Sequence, residues 1–340
     1  MTMTTQPTVS VCIANYNGVT IIADCVDSVI AQQGEISIEI LVHDDASTDG
    51  SVAFIEEHYP QIELIISPEN VGFCTANNRM AGIARGKYLL LLNNDATLFP
   101  DAISTLFSEA ENLPQPAILG LPQYDAGSGQ LLDIGSLLDP FLNPVPNLNR
   151  TRQDVGMIMG SCLWIPKSLW DELGGFPEWF GSIGEDLCLC CRARLAGYPV
   201  RAVGYSGYRH QVGASFGGGK MQHGKLSTTR RRRALSERNK TFVMLMCYPW
   251  LLLVLILPLH LILLYFEGLL LTLVKRDVLL WHEIYAPLLP TLWHERKQLL
   301  ESRQTVQKKR RTNLVQFLAV FIWMPHKLRM LLRHGLPEVT

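Results

Sequence analysis

Four short runs in the first hundred residues are apolar almost without a break: VSVCIA (9–14), IEILVH (38–43), IELIIS (starting at Ile62) and YLLLLN (88–93). Continuous rather than alternating hydrophobicity at this length is the pattern of parallel strands buried on both faces. Between the runs, TIIADCVDSVIAQQ, DGSVAFIEEHY and GFCTANNRMAGIAR carry apolar residues at helical spacing. The alternation predicts an α/β fold with a Rossmann-like, doubly wound, mostly parallel sheet. From about 114 to 157 the pattern gives way to Pro-, Gly- and Asn-rich stretches, expected as loops or a flap over the sheet. A strand is then predicted over MIMGSCLWIP (157–166), and a helix over GEDLCLCCRARLAGY (184–198), with Glu185 and Asp186 in its first turn and Gly197 at its end.

A different pattern begins near 226. RRRRALSERNK precedes an apolar stretch from about 242 to 274, interrupted by Pro249, Pro258, His260 and Glu267 and closed by Lys275 and Arg276. Its length exceeds the roughly 20 residues that span a bilayer. The stretch is expected to be a tilted span or a re-entrant hairpin turning at Pro258, with a buried core helix as the alternative, and Glu267 counts against a simple lipid-exposed span. The remaining residues, 277–340, combine Trp281, Trp293 and Trp323 with QKKRR and NLVQFLAVFIWMP, a mixture expected to lie in a membrane interface beside anionic lipid. The expected organisation is a catalytic domain at 1–225, a basic juxtamembrane segment with an apolar helix at 226–276, and an amphipathic helical tail at 277–340.

The formal charge of −1 provides no global field for nucleic acid. Eight cysteines are scattered through apolar segments without an evident signal peptide, which fits a reducing cytosol better than a disulfide framework. Cys188, Cys190 and Cys191 lack the spacing of a structural zinc site and are expected to be small core residues.

In a doubly wound sheet the ligand meets the carboxyl ends of the strands. The polar residues there are Asn15, Tyr16 and Asn17 after the first run, Asp44 and Asp45 after the second, and Asn93, Asn94 and Asp95 after the fourth. Turn and cap chemistry accounts for Ser47 to Gly50, but it leaves unexplained why two carboxylates stand side by side at 44 and 45. Asp95 suits a hard divalent cation, which takes one or two protein carboxylates and completes its shell with water and phosphate oxygens; the alternative is a cap on a helix starting near Pro100. Glu185 and Asp186 either complement a helix dipole or supply a general base. His210, ahead of a glycine-rich segment expected to be mobile, is either a structural histidine or a further metal ligand.

Taken together and in order, VSVCIANYNG, ILVHDDASTDGS, NVGFCTANNRMAGIARGKYLLLLNNDA, GEDLCLCCRARLAGY and ERNKTFVMLMCYPW resemble the family 2 glycosyltransferases of GT-A fold, in their rhamnosyltransferase-like branch that builds bacterial surface polysaccharides. The resemblance covers about residues 8 to 255. It implies a nucleotide-diphosphate sugar donor, Mg²⁺ or Mn²⁺, and inversion at the anomeric carbon. By position it also implies that Asn15, Tyr16, Asp44 and Asp45 border the nucleoside, and that Gly72, Phe73 and Asn78 line the nucleotide side of the cleft. Asn93, Asn94 and Asp95 would stand at the metal motif, Asp186 as the base, and Glu185 beside the acceptor. Two positions depart from the family pattern: amides replace a second aspartate before Asp95, and Cys188 stands near where another acidic residue is usual.

The expected function is therefore an inverting, metal-dependent hexosyltransferase at the cytoplasmic face of the membrane, taking a dTDP-rhamnose or UDP-sugar donor and a lipid-linked saccharide acceptor. On that face the sequons at Asn149 and Asn239 are incidental. The rivals are a catalytically silent membrane scaffold that binds sugar nucleotides, and a sugar nucleotidyltransferase. The latter would show a glycine-rich phosphate loop with a basic residue after the first strand, where this chain has NYNG.

Overall fold

The computed structural model describes residues 6–211, 218–222 and 225–339. They form two compact units. The first comprises the described residues up to 136 with 146–193 and 198–211; the second comprises 137–145, 194–197 and the described residues beyond 211. The glycine-rich stretch expected after His210 falls largely on 212–217, outside the described residues.

The first unit is built on β1 (Val9–Asn15), β2 (Ile38–Asp44), β3 (Glu63–Ile66), β4 (Tyr88–Asn93), β5 (Ala96–Leu98), β6 (Ile118–Gly120), β7 (Gln123–Asp125), β8 (Leu131–Asp133), β9 (Cys162–Pro166), β10 (Val200–Ala202) and β11 (Tyr208–His210). Its helices are α1 (Ile22–Ile30), α2 (Ser51–His58), α3 (Phe73–Ile83), α4 (Ala102–Asn112), α5 (Lys167–Leu173) and α6 (Glu185–Leu195). Seven strands make the main sheet, in the order β10-β6-β9-β4-β1-β2-β3. β1 to β4 pair in parallel, β9 runs antiparallel to both β4 and β6, and β10 is parallel to β6. Val9, Val11 and Ile13 alternate with Ser10 and Cys12, and all five are fully buried, so both faces are covered as continuous hydrophobicity requires.

The chain winds outward from β1 to β3, then returns to place β4 on the other side of β1. This reversal opens a crevice at the carboxyl ends of β1 and β4, where doubly wound sheets bind ligands. The strand within 157–166 is confined to Cys162–Pro166, because Gly160 and Ser161 turn back to bond other elements. No helix begins directly after Asp95: β5 intervenes, in a second sheet ordered β5-β11-β7-β8, and α4 is preceded by Asp101. Asp95 is therefore not a helix cap. All eight cysteines are free and buried, and burial pushes the thiols of Cys12, Cys25, Cys74 and Cys162 upward, which makes them inert packing groups.

The second unit contains α7 (Arg230–Cys247), α8 (Trp250–Lys275), α9 (Arg296–Lys308) and α10 (His326–His334), with shorter helical turns between them. α8 continues through Pro258 without reversing, so there is no hairpin at that proline. It is long and apolar enough to cross a membrane by length and composition. Leu264 and Leu271 of α8 cluster with Leu280, Ile284, Tyr285 and Leu288. Gly268 brings the helix onto the Tyr285 ring, since a Cβ there would lie 2.5 Å from it.

Candidate active site

The parallel register sets Asn15 beside Asp44 and Ala14 beside Asn93, so β1, β2 and β4 deliver their last polar residues to one line. Asn15 Nδ2 donates to Asp44 Oδ2 at 2.8 Å, and Asn94 Nδ2 donates to Asn15 Oδ1 at 2.8 Å. The Ser47 amide donates to the other Asp44 oxygen. Asp45 points elsewhere: its two oxygens accept from the Val71 and Gly72 amides at 2.7 and 2.9 Å. The paired carboxylates that looked repulsive in sequence thus diverge at the strand end, each neutralised in part by N–H dipoles.

Two loops frame this line. Asn17, with a left-handed φ of 50°, accepts from the Thr48 amide, and the Val19 amide donates to Asp49, so the turns after β1 and β2 are stitched together. A Cβ on Gly18 would lie 2.2 Å from Asn15 Oδ1 and 2.4 Å from Asn94 Nδ2; only glycine permits that amide pair. Tyr16 stands at the rim, 53% exposed. On the opposite side Gly72 (φ 85°) precedes α3, Phe73 stacks on Phe176 at 6.0 Å, and Asn78 both donates to and accepts from the Phe176 backbone. The amide of Asn78 is therefore occupied in holding the 176–178 segment.

After β4 the environment changes. Asp95 is buried, yet among the described residues no donor is aligned with its Oδ1; His210 Nε2 lies 3.0 Å away without hydrogen-bonding geometry. Asn93 Oδ1 is buried and likewise without a partner among the described residues, and Asn93 Nδ2 lies 3.4 Å from the same imidazole nitrogen. Two orphaned oxygens beside an imidazole are costly unless a cation completes the set. Carboxylate, amide oxygen and imidazole suit a divalent metal whose remaining positions are filled by phosphate oxygens and water, so the residues fit Mg²⁺ or Mn²⁺. Antiparallel pairing of β11 with β5 sets His210 opposite Ala96, which brings the imidazole to Asp95. Its Nδ1 lies 3.2 Å from the Gln123 amide, and Tyr208 joins Gln123 to Ser161. Gln123 Nε2 faces Nδ1 while its Oε1 accepts from Tyr208 OH at 3.0 Å, so this chain of polar groups holds the ring beside Asp95.

Asp186, in the first turn of α6, is tied to the same place through one turn of chain. The Gly160 amide donates to Asp186 Oδ2 at 3.0 Å, the Leu187 amide donates to Oδ1 at 2.7 Å, and the next carbonyl, Ser161, accepts from the Asn93 amide at 3.1 Å. Glu185 is buried beside it, facing Gly160. The loop entering α6 contains Ile183 at φ 67°, a left-handed conformation that costs a β-branched residue about 1–2 kcal/mol. All the predicted site residues lie in the first unit. The hydrogen-bonded line joins Asp44, Asn15 and Asn94, and the Gly160–Ser161 turn joins Asn93 to Asp186. Gly18, Gly160, Ser161, Gln123 and Tyr208 escaped the sequence reading. Only Gly18, directly after a polar strand end, carried a visible signal.

Residues 10–174, just under half of the chain, match the family described as Glycosyl transferase family 2. Among curated relatives, N-acetylglucosaminyl-diphospho-decaprenol L-rhamnosyltransferase of Mycobacterium tuberculosis is 28% identical, with 48% of this chain and 63% of the relative covered. Succinoglycan biosynthesis protein ExoO of Rhizobium meliloti is 32% identical over 31% of this chain and 30% of its own length. This chain thus spans less than two thirds of those relatives. Among solved structures, residues 1–349 of S. aureus TarS in complex with UDP superpose with a TM-score of 0.51 at 15% identity, covering 88% of this chain and 90% of that one. GalNAc-T7 with UDP, GalNAc and Mn²⁺ gives 0.50 at 17% identity, covering 60% and 43%. The fold is GT-A.

Proposed function

We propose that this chain is an inverting glycosyltransferase that moves a sugar from a nucleoside-diphosphate donor, of dTDP-rhamnose or UDP-sugar type, to a hydroxyl of a lipid-linked saccharide at the cytoplasmic face of a membrane. The observation that carries the reading is that a buried oxygen of Asp95, 3.0 Å from His210 Nε2, and one of Asn93 accept no hydrogen bond among the described residues at the switch point of the sheet. Mg²⁺ or Mn²⁺ held there by Asp95 and His210 would stabilise the charge that grows on the diphosphate leaving group. Tyr16 offers an exposed ring at the rim to a nucleobase, with Asp44, Asp45, Gly72 and Phe73 framing the nucleotide side. Asp186, oriented by two backbone amides, is the group to take the proton from the attacking acceptor hydroxyl, and Glu185 stands beside the acceptor.

The mycobacterial relative's name supports a lipid-linked acceptor, and the neighbours solved with UDP, one also with Mn²⁺, support the donor and metal. No basic residue stands in the Asn15–Gly18 turn, which disfavours a nucleotidyltransferase. Thermal-shift screening of the purified full chain against UDP and dTDP sugars with Mn²⁺ is expected to find a donor that raises the melting temperature by mass action. Turnover of that donor should then fall at least about 100-fold in Asp95→Ala and in Asp186→Ala. A silent scaffold would give the shift without turnover, and full activity in both variants would overturn the site assignment.

A further inference from the structure

We propose that the second unit docks on a membrane as a monotopic surface, with α8 lying along an anionic leaflet rather than crossing it. The proposal rests on the membrane reading above and fixes its geometry.

α8 has two faces. Leu253, His260, Leu264, Gly268 and Leu271, recurring at helical spacing, are buried within the unit; Leu255, Leu259, Ile262, Phe266 and Leu273 are exposed on the other side. The buried face carries the polar residues that made a simple span doubtful. His260 Nε2 is 3.0 Å from Thr241 Oγ1 of α7, and Glu267 pairs with Arg233 of α7 at 2.5 Å and with Lys327 of α10 at 2.7 Å. From His260 to Glu267 is about 10 Å of helix, and from Thr241 back to Arg233 about 12 Å. α7 therefore runs antiparallel alongside the middle of α8.

A crossing would carry this stretch of α7 into the hydrocarbon. Arg233, Glu237 and Lys240 lie on it, next to exposed Arg231. Ionisable groups at that depth are strongly disfavoured. Lying in plane, α8 sinks only its exposed apolar face while α7 and the ion pairs remain on the protein side.

The identity of the partner follows from charge and aromatic placement. Exposed Lys275 and Arg276 end α8, and on α10 exposed Leu328, Leu331 and Leu332 alternate with Arg329 and Arg333. Trp250, Trp293 and Trp323 are 70, 71 and 68% exposed, as at membrane–water boundaries. Apolar side chains edged by basic ones fit a leaflet of anionic phospholipid better than a second protein surface.

The test uses the full-length chain with a single added cysteine, Trp250→Cys or Lys275→Cys; the native thiols are buried. A membrane-impermeant maleimide applied to inside-out and right-side-out vesicles should label both positions from the same side. Labelling from opposite sides overturns the in-plane geometry and leaves membrane association intact. On purified protein, flotation with phosphatidylglycerol vesicles should exceed that with phosphatidylcholine vesicles at least tenfold. Ile262→Glu combined with Phe266→Glu should abolish it, with the UDP-induced thermal shift retained as the check on folding. No vesicle binding by the native chain overturns both the geometry and the membrane reading. Dimers that the double variant converts to monomers without loss of flotation overturn the assignment of this face to lipid.

Discussion

At the strand ends of the first unit, Asp44 and Asp45 are buried against amide donors; in the second unit, Glu237 is buried and Glu267 half-buried against cations. Asp133 follows the first mode: it accepts from the Ile134, Gly135 and Asn147 amides and from Ser136 Oγ, and burial still pushes its carboxyl above the usual range. Glu237 follows the second, 2.8 Å from Lys240 and 2.6 Å from Lys327. Burial acts to raise its pKa, but the two lysines and Arg233 outweigh it and hold the carboxyl well below its ordinary value. Neutral donors orient a carboxylate and leave its charge in the site, whereas paired cations cancel the charge and lock helices together. Asp95 differs from both: one of its buried oxygens accepts no hydrogen bond among the described residues and has only the His210 imidazole, 3.0 Å away, beside it. That is the signature expected where the missing partner is a ligand.

The comparison can be sharpened by breaking each mode in turn. Glu237→Ala leaves Lys240 buried without its anion, while Lys327 keeps Glu267, and is expected to cost about 3–5 kcal/mol in urea denaturation. Asp44→Ala, which strands only the Asn15 and Ser47 donors, should cost less, about 1–3 kcal/mol; an equal loss would erase the distinction between the modes. Gly18→Ala forces a Cβ into the Asn15–Asn94 amide pair and should cost about 1–2 kcal/mol, with UDP affinity falling more than stability. The smallest effect concerns pH. Burial, followed by the charge of Arg79, lowers the pKa of His43 despite Asp45 nearby. A histidine kept neutral in this way contributes stability above its unfolded value of 6.5, lost as pH falls below that value through the lowered one. The wild-type midpoint should therefore decline from pH 7 towards 5.5, by at most about 1.4 kcal/mol per pH unit from this group, and His43→Gln should decline less.

β1, β2 and β4 were legible to within a residue, because burial on both faces leaves most of their positions apolar. The run at 157–166 misled for the same reason. Met157 and Ile158 are as buried as Leu163 and Trp164, yet they precede a turn that exists to bring Gly160 to Asp186. Asp44 and Asp45 were visible as a pair, but their divergence depends on Asn15 and on Val71–Gly72, neither adjacent in sequence. The approach of His210 to Asp95 rests on the pairing of β11 with β5, two three-residue strands too short to stand out from loop. Hydropathy marked α8 without distinguishing a span from a one-faced helix, because the partners of His260 and Glu267 lie on α7 and α10.

Manganese titration of the purified chain, followed by the loss of the free-ion electron paramagnetic resonance signal with and without UDP, tests the central claim most directly. The wild type is expected to bind one ion, more tightly with UDP present. Asp95→Asn should weaken that binding at least tenfold, and Asp44→Asn should leave it within about twofold. Equal Mn²⁺ affinity in the wild type and Asp95→Asn would contradict the assignment of the unpartnered oxygen to a cation.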